Sequence, residues 1–276
     1  MNPSVHPHHR RHLRPAVRRV LTVTVVACIA VGGASFVLHS RSAVPAASAT
    51  STSSASAASE AESSLLTARQ AQAILDDPRM VLVNHTNKMP DDHTFTTKAC
   101  GSATAVNKTL QTVACNAFLE LQKAAAAENV TVWMQSGYRS VSYQTKLYER
   151  KTQYYRDKGY DEATAKEKAA AIVNPPGYSE HNCGLAADLN SPEHTGLDEG
   201  FENTAAFRWL CENAEQYGFI LRYPKEAEAV TEITYEPWHW RYVGPENAAL
   251  IQQSGLCFED AVAVLQKLAA GEKITG

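Results

Sequence analysis

Apolar residues recur at helical spacing in four stretches of the chain. The stretch 65–75 is short and stops before Pro78, and 113–128 carries Val113, Ala117, Leu121 and Ala124 on one face. The stretch 207–217 repeats Phe207, Leu210, Cys211, Ala214 and Tyr217 and closes at Gly218, and 258–270 closes at Gly271. Between Ser142 and Val173 the abundance of Ala, Lys, Glu and Tyr predicts further helix, with a break near Lys158-Gly159. Strand-like runs are short: 131–135, 185–189, 219–223 and 238–243, each rich in β-branched or aromatic residues or alternating small ones. Strands and helices mix without a βαβ rhythm, and no internal repeat is visible. The pattern predicts an α+β fold, a small mainly antiparallel sheet flanked by helices.

One apolar run is different in kind. Residues 20–38 are uncharged and mostly apolar for nineteen positions, preceded by Arg10, Arg11, Arg14, Arg18 and Arg19. At 1.5 Å per residue such a helix nearly spans a hydrocarbon core of about 30 Å. Arginines on its amino-terminal side place that end in the cytoplasm and everything after Arg41 outside. This reading gives a basic cytoplasmic tail at 1–19, a membrane anchor at 20–38 and an extracytoplasmic domain at 65–276. From 43 to 64, 18 of 22 residues are Ala, Ser or Thr, the composition of a flexible tether. The alternative is a cleaved signal peptide, for which Ala47-Ser48-Ala49 has the small-residue pattern. That tripeptide lies well beyond an apolar run that is itself longer than a usual signal core, so the anchor is the preferred expectation.

Composition narrows the partners. The 276 residues are 44% hydrophobic and 20% charged, as in an ordinary globular protein. All six basic residues of the first 42 are arginines without a compensating acid, leaving 20 basic against 29 acidic residues in the remainder. An acidic body without a basic stripe argues against nucleic acid as a partner. Five cysteines fall in the exported part (Cys100, Cys115, Cys183, Cys211, Cys257), with no C-x-x-C pair. They form no zinc ribbon, and disulfides and buried free thiols both remain open.

Five of the ten histidines precede or follow the membrane run closely (His6, His8, His9, His12, His39), leaving His85, His93, His181, His194 and His239 for the folded domain. Two stand in dense company. Ser179-Glu180-His181-Asn182-Cys183-Gly184-Leu185-Ala186-Ala187-Asp188 sets a histidine seven residues before an aspartate. On a straight strand that spacing puts them on opposite faces, so they converge only if the chain bends at 182–184, where Gly184 allows it. In Tyr235-Glu236-Pro237-Trp238-His239-Trp240-Arg241-Tyr242, Pro237 disfavours helix at Glu236, so Glu236 and His239 sit on a strand and its entrance. Two histidines and one carboxylate leave a zinc position open, as catalytic rather than structural zinc requires, with Glu236 remaining as a base. Cys183 as a further ligand is disfavoured, and His194, in a polar loop, is expected to face solvent.

These segments resemble the VanY-type D-alanyl-D-alanine carboxypeptidases, zinc peptidases related to VanX and, by fold, to the amino-terminal signalling domain of Hedgehog proteins. The family blocks S-G-Y-R-S-x-x-x-Q, S-x-H-x-x-G-x-A-x-D and E-P-W-H-x-R-Y-V-G stand here as Ser136-Gly137-Tyr138-Arg139-Ser140 with Gln144, as Ser179 to Asp188, and as Glu236 to Gly244. Weaker similarity extends over 80–246. The resemblance implies zinc held by His181, Asp188 and His239, with Glu236 as catalytic base. Arg139 becomes a further catalytic group, and Arg139, Gln144 and Ser179 candidates for gripping substrate. The implied reaction is hydrolysis of the terminal D-alanine from peptidoglycan stem peptides. L,D-carboxypeptidase or endopeptidase activity on the same wall peptides, or a zinc-stabilised wall-binding module without turnover, are the alternatives. A serine mechanism is not indicated: Ser142 is followed by lysine only at 146, one residue too far for S-x-x-K.

Overall fold

The computed structural model describes residues 66–101 and 108–274. The expected basic tail, membrane segment, signal-cleavage tripeptide and tether lie outside the described residues. Among the described residues no single helix is long and apolar enough to cross a membrane.

The described residues open with helix α1 (Ala68–Leu75), started by a capping box in which Thr67 and Gln70 satisfy each other's backbone amides. A hairpin of short strands, β1 (Thr97–Ala99) and β2 (Thr109–Gln111), leads into α2 (Thr112–Ala127), and the Cys100–Cys115 disulfide ties hairpin to helix. Strand β3 (Trp133–Ser136) precedes the helix pair α3 (Val141–Asp157) and α4 (Glu162–Ala170), capped by Ser140 and Asp161. Then come β4 (Ala186–Asn190), α5 (Ala205–Asn213), β5 (Phe219–Leu221), the single-turn α6 (Glu228–Thr231), β6 (His239–Tyr242), α7 (Pro245–Ser254) and α8 (Phe258–Ala269). The α+β expectation holds: β3-β4-β6-β5 form one four-stranded, wholly antiparallel sheet with helices packed around it.

Alternation along the central strands sorts the sheet into two chemical faces. Ala187 and Leu189 of β4 and Trp240 and Tyr242 of β6 turn into the main core. There they meet Ala114, Phe118 and Leu121 of α2 and Ala206, Trp209 and Leu210 of α5. Their neighbours Asp188, His239 and Arg241 therefore point the other way, and Asp188 pairs directly with His239 across the ladder. A second apolar cluster, from α1, α7 and α8 around Ile220 and Val243, closes the far edge.

Two expectations need correction. The helix expected over 207–217 ends at Asn213 and finishes as a 3₁₀ turn, Ala214–Tyr217, before Gly218 at φ 81°. Helix α7 was not anticipated, because its inward face is only Asn247, Ala248 and Ile251; Pro245 at its first position and Gly255 just past its end set its limits.

Candidate active site

The bend foreseen between His181 and Asp188 is a 3₁₀ turn, Glu180–Cys183, ended by Gly184 at φ 70°. A side chain at Gly184 would be strained there and would press on the Phe95 ring. The turn lifts His181 over the start of β4, so that its Nε2 lies 3.3 Å from Asp188 Oδ1. His239, first residue of β6, brings Nδ1 to 3.3 Å from the same oxygen. One ligand atom from each of His181, Asp188 and His239 falls within 4.8 Å of the others, and all three residues are buried. Glu236 Oε2 stands 3.5 Å from His239 Nδ1, on the turn before β6, as its position ahead of Pro237 suggested.

The two imidazoles are held in opposite tautomeric senses. His181 Nδ1 lies 2.7 Å from the Gly137 carbonyl, and His239 Nε2 lies 3.3 Å from Glu180 Oε2. Both partners only accept hydrogen bonds, so each fixes the N–H on its own side of the ring and leaves the nitrogen facing Asp188 as the one that can ligate. The group fits a zinc ion: two imidazole nitrogens and one carboxylate oxygen converge, with room for a further ligand from the adjoining cavity. Cys183 takes no part. Its buried thiol donates to the Glu180 carbonyl at 2.9 Å.

Electrostatics separate the carboxyls. Asp188 is buried, yet His181 and the Arg139 guanidinium hold it well below the usual carboxylate range. Burial, aided by the Asp188 charge, pushes Glu236 up to about 7. Burial works against charge on His239, but hydrogen bonds to Asp188 and Glu180 overcome it and raise the ring to about 9, so a metal binding at Nδ1 displaces a proton there. Burial and Arg139 lower His181.

A cavity of about 400 Å³ opens over this cluster. Arg139, Gln144 and Ser179, the three candidates for substrate contact, all line it, together with Tyr223, Trp238 and Ile233. Arg139 is more than a surface arginine: Nη2 donates to Asp188 Oδ2 at 2.5 Å and Nε to Ser136 Oγ at 3.0 Å. Gln144 donates to the Asn174 carbonyl at 2.7 Å, while its own buried Oε1 has no protein partner. His194, expected in solvent, is half-buried; its Nε2 lies 3.0 Å from Asp198 within its own loop, away from the cluster.

Sequence reading passed over two residues of the site. Asn182 donates to the Arg139 carbonyl at 2.7 Å and accepts from the Gly177 amide, fastening the turn to the Arg139 loop. Glu180 is fully buried beneath His239. The available signal was one acid beside His181 and two arginines, Arg222 and Arg241, inside otherwise apolar strand segments.

Comparison with known proteins agrees with this geometry. Residues 107–245 match the family model described as VanY, D-alanyl-D-alanine carboxypeptidase. A D-alanyl-D-alanine carboxypeptidase of Enterococcus faecalis is 31% identical over 92% of this chain and 94% of its own length. Among solved structures, the vancomycin resistance D,D-pentapeptidase VanY from a VanB-type resistance cassette, in complex with Zn(II), superposes with a TM-score of 0.58. It is 34% identical, over 67% of this chain and 99% of that one. The LdcB LD-carboxypeptidase gives a TM-score of 0.59 at 31% identity, over 68% of this chain and 88% of that one.

Proposed function

The chain belongs to the VanY family of D-alanyl-D-alanine carboxypeptidases and is a zinc metallocarboxypeptidase, and from that premise we propose how its residues divide the work. His181 Nε2, Asp188 and His239 Nδ1 hold the zinc. The observation that carries this reading is the meeting of those three ligand atoms within 4.8 Å at the floor of a cavity that Glu236 also enters. When bound, zinc lowers the pKa of water and polarises the scissile carbonyl.

Glu236 is the general base. Its carboxylate takes a proton from the attacking water at an Oε atom as the water oxygen bonds to the carbonyl carbon. It returns that proton to the amide nitrogen as the C–N bond breaks and D-alanine leaves as an amine. Arg139 reaches the cavity while paired to Asp188, so it can meet the substrate carboxylate or the charge developing on the carbonyl oxygen. The unpartnered Gln144 Oε1 and the Ser179 hydroxyl supply polar contacts to the peptide. No side chain becomes acylated.

The substrate is the peptidoglycan stem peptide, cut at its terminal D-alanine. The domain works outside the cell, carried by a membrane helix at 20–38 through the tether at 43–64; the arginine bias and the Ala/Ser/Thr composition support this placement. Likeness to the LD-carboxypeptidase favours one second reading, trimming of tetrapeptides. Incubating purified protein with penta- and tetrapeptide stems and following D-alanine release separates them. Release from the pentapeptide supports the D,D reading, and release from the tetrapeptide alone overturns it.

A further inference from the structure

Beneath the site lies a charge cluster that the reaction as described does not use. Glu180 Oε1 accepts from Arg222 Nε at 2.7 Å and from Arg241 Nη1 at 2.6 Å, and all three side chains are fully buried. Arg222 spends its remaining two nitrogens on Glu259 at the start of α8, at 2.8 and 2.5 Å. Arg241 Nη2 donates to the carbonyls of Arg79 and Val81, both at 2.8 Å. Both guanidinium groups stack on the Phe258 ring, at 5.2 and 5.0 Å from its centroid. Two carboxylates and two guanidinium groups cancel in charge.

Buried ion networks of this kind are poor stability devices, because desolvation offsets most of the Coulomb attraction. The arrangement instead leaves one directed group. With Oε1 occupied by both arginines, Glu180 Oε2 is aimed at His239 Nε2. We propose that Glu180 is a positioning residue for the zinc site: it accepts the Nε2–H of His239 and so fixes the tautomer that offers Nδ1 to the metal. Arg222 and Arg241 hold it in place. This inference rests on the zinc-binding role given to His239 above.

The contrast with His181 sharpens it. There a backbone carbonyl, that of Gly137, fixes the opposite tautomer. His239 begins β6, and there a side-chain carboxylate, that of Glu180, does the same task. Helix α8 and residues 79–81, outside the matched family region of 107–245, thereby brace a metal ligand.

Glu180→Gln tests this with little change of shape. Two arginine donors face the Oε1 position and draw the amide oxygen there, which turns the NH₂ group towards His239 Nε2. That ring must then accept at Nε2 and carry its proton on Nδ1, the atom the metal needs. The full-length E180Q chain, folded by circular dichroism, should bind zinc 10- to 100-fold more weakly than wild type in competition with a chelator, the range typical of lost partners behind metal-bound histidines. Nitrogen-15 NMR of the histidine rings in zinc-loaded wild type should show one metal-bound ring protonated at Nδ1 and another at Nε2. A merely structural role would leave the zinc affinity of the folded variant unchanged. Zinc affinity of folded E180Q within about twofold of wild type overturns the inference, as do two metal-bound rings both protonated at Nδ1. The wild-type ring measurement decides alone where E180Q does not fold. A wild type that binds no zinc would instead strike at the zinc-site reading itself.

Discussion

At the scale of the residue, the site separates ligand from base by position. Asp188 and His239 face each other across β4 and β6, whereas Glu236 stands outside the strand and reaches the same space from the preceding turn. Glu236→Gln preserves shape but removes the proton-accepting oxygen, so kcat should fall by about 10²–10⁴-fold while zinc stays stoichiometric. His239→Ala removes a ligand, and zinc and activity should be lost together. Activity assays paired with elemental analysis read both. Zinc lost from E236Q would make Glu236 a ligand and send the search for a base elsewhere.

Elements matter because two turns, not the strands, aim the remaining groups. Gly184 ends the turn that carries His181, and its φ of 70° is costly for any residue with a Cβ. Gly184→Ala should cost about 1–2 kcal/mol of stability from backbone strain alone, read from the urea midpoint, and should also weaken zinc binding by displacing His181. An unchanged midpoint would show that the turn relaxes freely. This bend was legible beforehand, since a seven-residue spacing on a strand cannot bring His181 and Asp188 together otherwise. The four sheet strands and the helix pair broken at Lys158-Gly159 were legible too, from periodicity and glycine. The β1–β2 hairpin was not, because three-residue strands carry too few positions to alternate. Nor was α7, whose buried face includes Asn247, held by hydrogen bonds to the Val243 carbonyl and to Asp77. The burial of Arg222 and Arg241 was not legible either, because the acid that meets them both, Glu180, comes from a distant turn.

For the whole molecule, the question is how a wall-cutting domain is placed and what it needs to work. An anchored chain should fractionate with membranes and keep its amino terminus. A soluble protein in the medium beginning at Thr50 would show cleavage after Ala47-Ser48-Ala49 instead. The central claim, a zinc-dependent D,D-carboxypeptidase with no acylated serine, is tested most directly by D-alanine release from a pentapeptide stem before chelation, after chelation and after zinc is restored, each with and without a β-lactam. The account predicts release that stops on chelation, returns with zinc and ignores the β-lactam. Release that survives chelation and is abolished by the β-lactam would contradict it.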